Sequence, residues 1–328
     1  MTSMTLQQVS EHCYAVLNEK NRICDANSGI IAIGDGVIVD TQCDLRHAQE
    51  LRSMAAELGI KKPKYVVNTH EDADHVLGNQ VFRDCEIVAH KTVPDRMQTV
   101  ADPVRLQQLS AAAKSLWKRL LLKMTRPGLL AVADQLAEDY EFHGIELVAP
   151  TTTFDDRLEL TVGETAIELI YVGPAHQVGD TIVHVRNERV VFAGDVIFRD
   201  CLPIAWSGRH ADSLRALDAI TDLDPNVIVP GHGPVCGVEA MDEMKAWWNM
   251  THAAAKNAFS RGENVEQACA DFELQQFAEW IGAGREYVSL ARSYREFQGV
   301  AADEEWDIPD VFEKIYRLAR FRGTMPVF

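Results

Sequence analysis

Paired cysteines at knuckle or redox spacing are missing. The chain has seven cysteines, Cys13, Cys24, Cys43, Cys85, Cys201, Cys236 and Cys269, and no two of them stand as C-x-x-C. An odd number without that spacing argues against a disulfide framework and a structural zinc knuckle. Long apolar runs are missing too. Nothing approaches the ~18 uninterrupted apolar residues of a spanning helix, so no membrane span is expected. Positive charge is scarce: Lys+Arg number 32 against 49 Asp+Glu, a net charge of −17. A surface that acidic repels phosphate backbones and anionic lipid. Nucleic-acid and membrane partners are therefore not expected, and extended polyanionic substrates are disfavoured. The opening residues MTSMTLQQVSEHCYAVLN lack a basic segment followed by an apolar run. No secretory signal is expected there, and a reducing cytoplasm is the expected location. Low-complexity segments and repeats of fixed period are also absent.

What is present is an ordinary folding composition. The chain has 328 residues, 47% of them hydrophobic, enough to bury a core without staples. Ser28 to Thr41 reads as two strands around Gly34-Asp35-Gly36, a hairpin signal. The next stretch places Leu45, Ala48, Leu51, Ala55 and Leu58 at helical spacing, and Gly59 ends it. Lys64 to His70 is a short apolar run that stops at a polar cluster. Strands alternating with helices predict an α/β layer arrangement. Residues 91–142 read as a helical insertion. Strands return from Ile145 to Pro230, and the chain from about Val238 onward is helical again, with Trp247, Trp248, Trp280 and Trp306 supplying bulk.

Four of the eleven histidines stand in polar turns directly after predicted strands. His70 and His75 lie in NTHEDADHVLGN, His176 in VGPAHQVGD and His232 in VPGHGPV; VVFAGDVIF brings Asp195 to a strand end. Imidazole and carboxylate on such loops are metal ligands by type. His70, Asp72, Asp74 and His75 form H-x-D-x-D-H. So short a loop presents its ligand-type side chains to one small volume, room for two metals a few ångströms apart.

These four pieces, in this order and spacing, resemble the metallo-β-lactamase superfamily, whose usual signature is H-x-H-x-D-H, a later His, an Asp after Gly, and a final G-H-G. The resemblance covers roughly residues 10 to 237. It implies an αββα four-layer sandwich, with residues 1–237 as the metallo-β-lactamase-like domain, a helical insertion at 91–142 and a helical C-terminal extension at 238–328. It implies two divalent metal ions, zinc foremost, with His70 and His176 on one and Asp74, His75 and His232 on the other. Asp195 would bridge both. The family's catalyst is a hydroxide held between or beside the metals, oriented here by Asp74. The reading is a binuclear hydrolase of a small ester, lactone, thioester or amide.

The chain departs from the signature twice. Leu77 stands in the first position of a usual Gly-Gly, leaving only Gly78. More consequentially, Asp72 stands where the second His belongs. Two divalent ions with two carboxylates and a hydroxide net about +1; a third carboxylate brings that to about 0. Lewis acidity should fall, and preference should move from zinc towards iron or manganese. Flavodiiron oxygen reductases, a redox branch of the fold, are similar here in carrying a Glu. A di-iron redox enzyme is therefore one alternative, although no flavodoxin-like domain is visible. A degenerate binding module is another, if Asp72 reaches its metal poorly. Asp72 could also serve the loop backbone as a turn residue.

Glu71 and Asp180 read as support for metal-bound imidazoles. Trp206, Arg209 and His210, in the loop that follows Asp195, are the expected substrate contacts. Cys201 does not match a ligand position. His12, His47, His90, His143, His184 and His252 read as structural or exposed. An insertion carrying Leu120, Leu121, Leu122 and Met124 is expected to lid the cleft over a partly apolar substrate. The C-terminal helices could form a homodimer face.

Overall fold

A computed structural model describes residues 4–22 and 24–328. The chain begins with three antiparallel strands, β1 (Met4–Gln8), β2 (Cys13–Asn18) and β3 (Ser28–Ile31), and continues into β4 (Val37–Val39) and α1 (Leu45–Glu57). Next come β5 (Tyr65–Val67), α2 (Ala73–Val76) and β6 (Glu86–His90). Four helices precede the next strand: α3 (Val93–Val100), α4 (Pro103–Lys114), α5 (Leu116–Thr125) and α6 (Pro127–Asp139). The second half contains β7 (Thr152–Phe154), β8 (Arg157–Val162), β9 (Thr165–Tyr171), β10 (Thr181–Val185), β11 (Val190–Phe198), α7 (His210–Asp222) and β12 (Val227–His232). It closes with α8 (Glu239–Ser260), α9 (Val265–Asp271), α10 (Glu286–Phe297) and α11 (Ile308–Phe321).

Two mixed sheets result. The first runs β1 to β7 in chain order, antiparallel as far as β4 and parallel from β4 to β7. The second has the order β12-β11-β10-β9-β8, with only β11 and β12 parallel. Their inner faces meet through alternating β-branched residues. Val37, Val39, Val67 and Val88 from one sheet pack against Leu169, Val183, Val185 and Phe192 from the other. Helix α1 covers the outside of the first sheet, where Ala48, Leu51 and Ala55 meet Ile30, Ile38 and Val66. Helices α7, α8 and α10 cover the second, through Leu217, Met244, Trp247 and Leu290 against Ile182 and Ile228. This is the αββα sandwich that the resemblance implies.

Local signals explain the elements. Gly34 and Gly36 adopt φ of 54° and 80°, the left-handed conformation that the β3–β4 turn requires. Asp44 caps α1 by accepting from the backbone N–H of His47. The C-terminal tryptophans turn inward: Trp247 and Trp248 are buried against the second sheet.

Strand direction decides where function can sit. β5, β9, β11 and β12 all finish at the same edge of the sandwich, so the turns that follow them converge.

Candidate metal centre

His70 lies three residues beyond β5 and is buried. The one-turn α2 then carries Asp74 and His75 on consecutive positions. Asp72 is its N-cap by backbone position, yet its side chain caps nothing. The turn role is therefore not the one this carboxylate plays. Its Oδ2 lies 2.9 Å from His176 Nε2 and 3.8 Å from His70 Nε2, and its Oδ1 accepts from Gln177 Nε2.

Asp195 sits within β11 rather than at its end, at an irregular stretch where pairing with β12 shifts register on both sides of Gly194. Such irregularities re-aim a side chain beside active sites. Here the carboxylate points to the middle of the histidines. Asp195 Oδ1 is 3.2 Å from His75 Nε2, and Oδ2 is 3.4, 3.5 and 4.0 Å from the Nε2 atoms of His176, His232 and His70. His232, the last residue of β12, also lies 3.3 Å from Asp74 Oδ2. Gly231 has to be glycine for this approach, because a Cβ there would fall 1.9 Å from Asp195 Oδ1.

The residues gather as two three-membered groups, His70 with Asp72 and His176, and Asp74 with His75 and His232; a third grouping, His70, His75 and Asp195, joins them. In each group the ligand-type atoms lie within 4.8 Å of one another. His70 Nε2, His75 Nε2, Asp74 Oδ2 and Asp195 Oδ1 are buried without hydrogen-bond partners. Orphaned buried acceptors and imidazole nitrogens are costly unless something unites them, and a divalent cation does so. Electrostatics agree. Burial works against charge on His176, yet Asp195 and Asp72 push its pKa up to about 10. Burial likewise opposes charge on His75, and Asp195, Asp40 and Asp74 overcome it, holding the imidazole well above its usual range. The carboxylates thus call for positive charge at the Nε2 atoms of His75 and His176, whereas burial and the neighbouring His75 hold His70 well below its usual range. The donor set is one that could hold divalent metal.

A supporting layer fixes the rings. His75 Nδ1 lies 2.8 Å from Asp40 Oδ2, His70 Nδ1 2.9 Å from Thr69 Oγ1, and His176 Nδ1 2.7 Å from the carbonyl of Ile204. Each contact leaves Nε2 facing the cluster. His232 is held differently, stacked on Phe198 at 4° and 5.4 Å between centroids. Glu71 and Asp180 are supports. Buried Glu71 receives Arg96 Nε from α3 and the N–H of Gly179. Asp180 Oδ2 accepts the N–H groups of Ala175, His176 and Gln177, and burial pushes its pKa up to about 7. Sequence reasoning missed Asp40, Thr69 and Gln177. Asp40 had a faint signal, as a carboxylate closing the apolar strand VIVD.

The outer residues fall elsewhere. Trp206 donates its backbone N–H to the carbonyl of His176, and its own carbonyl accepts from Trp306 Nε1. His210 stacks on His252 and lies 3.0 Å from Asn249. Arg209 is the exposed N-cap of α7. The structure brings only Trp206 against a ligand loop. Cys201 is buried, and burial pushes its pKa up to about 12, a neutral thiol outside the cluster. Leu120, Leu121 and Met124 are exposed, and α5 has no buried residue. The insertion reaches the site through α3 instead, where Val93 and Met97 pack with Val76, Leu77 and Ile204. The opening lies on the carboxylate side. Asp72 and Asp74 keep 15% and 10% of their side chains exposed, against 0–5% for Asp195 and the four histidines.

Fold and site together define an αββα protein with a histidine–carboxylate cluster that could hold metal, and residues 22–232 match the metallo-beta-lactamase superfamily. The chain belongs to that superfamily. Among solved structures it is similar to a metallo-beta-lactamase from Pontibacter korlensis, with a TM-score of 0.53 and 14% identity over 74% of this chain and 98% of that one. DIM-1 metallo-beta-lactamase is comparable, at a TM-score of 0.52 and 16% identity over 75% and 96% of the two chains. Among characterised sequences, the linear primary-alkylsulfatase of Pseudomonas sp. (strain ATCC 19151) is 25% identical over 235 residues, 63% of this chain and 41% of that protein. The 2,4-dinitroanisole O-demethylase subunit alpha of Nocardioides sp. (strain JS1661) is 29% identical over 126 residues, 37% of each chain. The match thus spans well under half the length of these relatives.

Proposed function

We propose that this protein is a binuclear metal-dependent hydrolase of a small ester, lactone, thioester or amide. His70, Asp72 and His176 would hold one ion, and Asp74, His75 and His232 the other, with Asp195 between them. The observation that carries this reading is Asp195, whose two oxygens lie within 4.0 Å of the Nε2 atoms of all four histidines. Two divalent ions, zinc foremost and iron or manganese as alternatives, would supply Lewis acidity and lower the pKa of water to ~7. Neither a serine nor a cysteine nucleophile is then required.

The chain's own contribution is orientation and charge. Asp74 stands at the opening with its Oδ2 unpartnered. It would accept the hydrogen bond of a water activated there and so orient it towards the substrate. Val76, Val93, Met97 and Ile204 are core residues that pack behind the ligand loops and brace them.

The test is turnover by metal-loaded protein of a panel of esters, lactones, thioesters and amides. The relatives' names add an alkyl sulfate and 2,4-dinitroanisole. Hydrolysis that falls ~10²–10⁴-fold in Asp74→Asn is the expected result. Protein that carries two ions and turns over no member of the panel would contradict it. Asp72 supports a second reading, a di-iron redox enzyme, which would consume oxygen with two irons bound and a separate electron donor. A degenerate binding module would fold fully and retain no metal.

A further inference from the structure

We propose that α5 is a membrane-docking element that seats on an anionic lipid surface. Helix α5 is badly placed for a soluble helix. Leu116, Trp117, Leu120, Leu121 and Met124 are 79%, 78%, 49%, 61% and 78% exposed. At ~100° per residue they fall on one arc of roughly 140°. Leu122 is turned off that arc and is only partly exposed. The outward face is thus apolar without interruption, while the helix contributes nothing buried to the fold. On the same wheel Lys118 borders the arc on one side, and Lys123 and Arg119 border it on the other.

Charge identifies what covers this face. Between Asp102 and Asp134 the sequence has Arg105, Lys114, Lys118, Arg119, Lys123 and Arg126 and no acidic residue, in a chain whose net charge is −17. Arg119 pairs with Asp134; Lys118, Lys123 and Arg126 are exposed. A leucine-, tryptophan- and methionine-rich face bordered by lysine and arginine matches the interfacial boundary of an anionic bilayer. The acidic remainder of the molecule is screened from that surface beyond ~8 Å at physiological salt. A second copy fits less well. A twofold contact would set the same basic borders against each other. A three-turn helix, ~15 Å long, also offers far less than the ~800 Å² per partner of a stable interface. The whole-chain charge argues against lipid, but the local charge and apolar face argue for it.

The experiment is co-sedimentation of the full chain with unilamellar vesicles. One set is phosphatidylcholine; the other contains about a third phosphatidylglycerol. Two double variants are compared, Trp117→Ala with Leu121→Ala, and Lys118→Gln with Lys123→Gln. All four positions are exposed, so thermal midpoint and metal content should not move. Binding to the anionic vesicles alone is expected, weakened by added salt. Neutralising the two lysines should weaken it about thirtyfold, and the apolar pair should abolish it. Absent binding overturns the proposal, as does binding that both variants retain. A dimer that the Trp117 and Leu121 substitutions dissociate, without vesicle binding, assigns the face to a second copy instead.

Discussion

A carboxylate at position 72, where the superfamily usually has an imidazole, takes about one unit of positive charge out of the metal cluster. The structure shows this carboxylate within reach of both His70 and His176 and free of any capping duty. Restoring the imidazole is therefore informative. In Asp72→His, the zinc fraction of the bound metal should rise against iron and manganese, and turnover on zinc should rise severalfold. An unchanged metal ratio, read by elemental analysis, would contradict that. Asp44 offers a pH test away from the site. Buried beside α1, it would have a raised pKa from burial alone, but His47 and backbone N–H groups hold it below the usual carboxylate range. Its contribution is therefore present above pH ~4 and lost as pH falls through the depressed folded value. Asp44→Asn keeps a cap oxygen but loses the charge. It should be about 1–2 kcal/mol less stable than the parent near neutrality, with the gap closing in acid; denaturant titrations at several pH values would show it. At this scale the clustering of the candidate ligands was legible because four of them share six residues. Asp40 was not, because its partner His75 lies 35 residues away and only the fold joins them.

Elements carry these residues to one place, and glycine sets how closely they approach. Gly78 follows α2, and a Cβ there would fall 1.8 Å from the Thr41 carbonyl and 2.6 Å from the Ala48 Cβ of α1. Leu77, by contrast, is buried among apolar neighbours, which is why losing the first glycine of the usual pair is tolerated. Gly78→Ala should cost about 1–3 kcal/mol through overpacking and lower the thermal midpoint by several degrees. A midpoint equal to the parent's would mean that α1 and the Thr41 turn yield freely. Strands, helix α1 and the β3–β4 hairpin were legible from periodicity and turn glycines. The fate of the insertion was not. Periodicity finds an apolar face on a helix, but not what covers it. Leu120, Leu121 and Met124 read as a lid yet face outward, while Val93 and Met97 of α3 lie beside the site.

For the molecule as a whole, the proposed metal centre is also a structural junction. It ties the turns after β5 and β9 to β11 and β12, and so joins the two sheets at one edge. Asp72, Asp74, Asp195 and Asp40 are gathered there in little solvent. Stripping the ions with a chelator should lower the thermal midpoint by several degrees, and a divalent metal in excess of its Kd should restore it. A midpoint indifferent to chelation would mean that the cluster is stable on its own hydrogen bonds. The sandwich and the order of the ligand-bearing loops were legible in the sequence because strand, turn and ligand recur together.

The number of metal ions per chain separates a binuclear centre from a half-filled or empty one. Elemental mass spectrometry on untagged protein, grown without added metal, should find about two divalent ions per chain, falling to none in a variant that replaces Asp195 with alanine. One ion or none in the parent protein would contradict a binuclear centre built around Asp195.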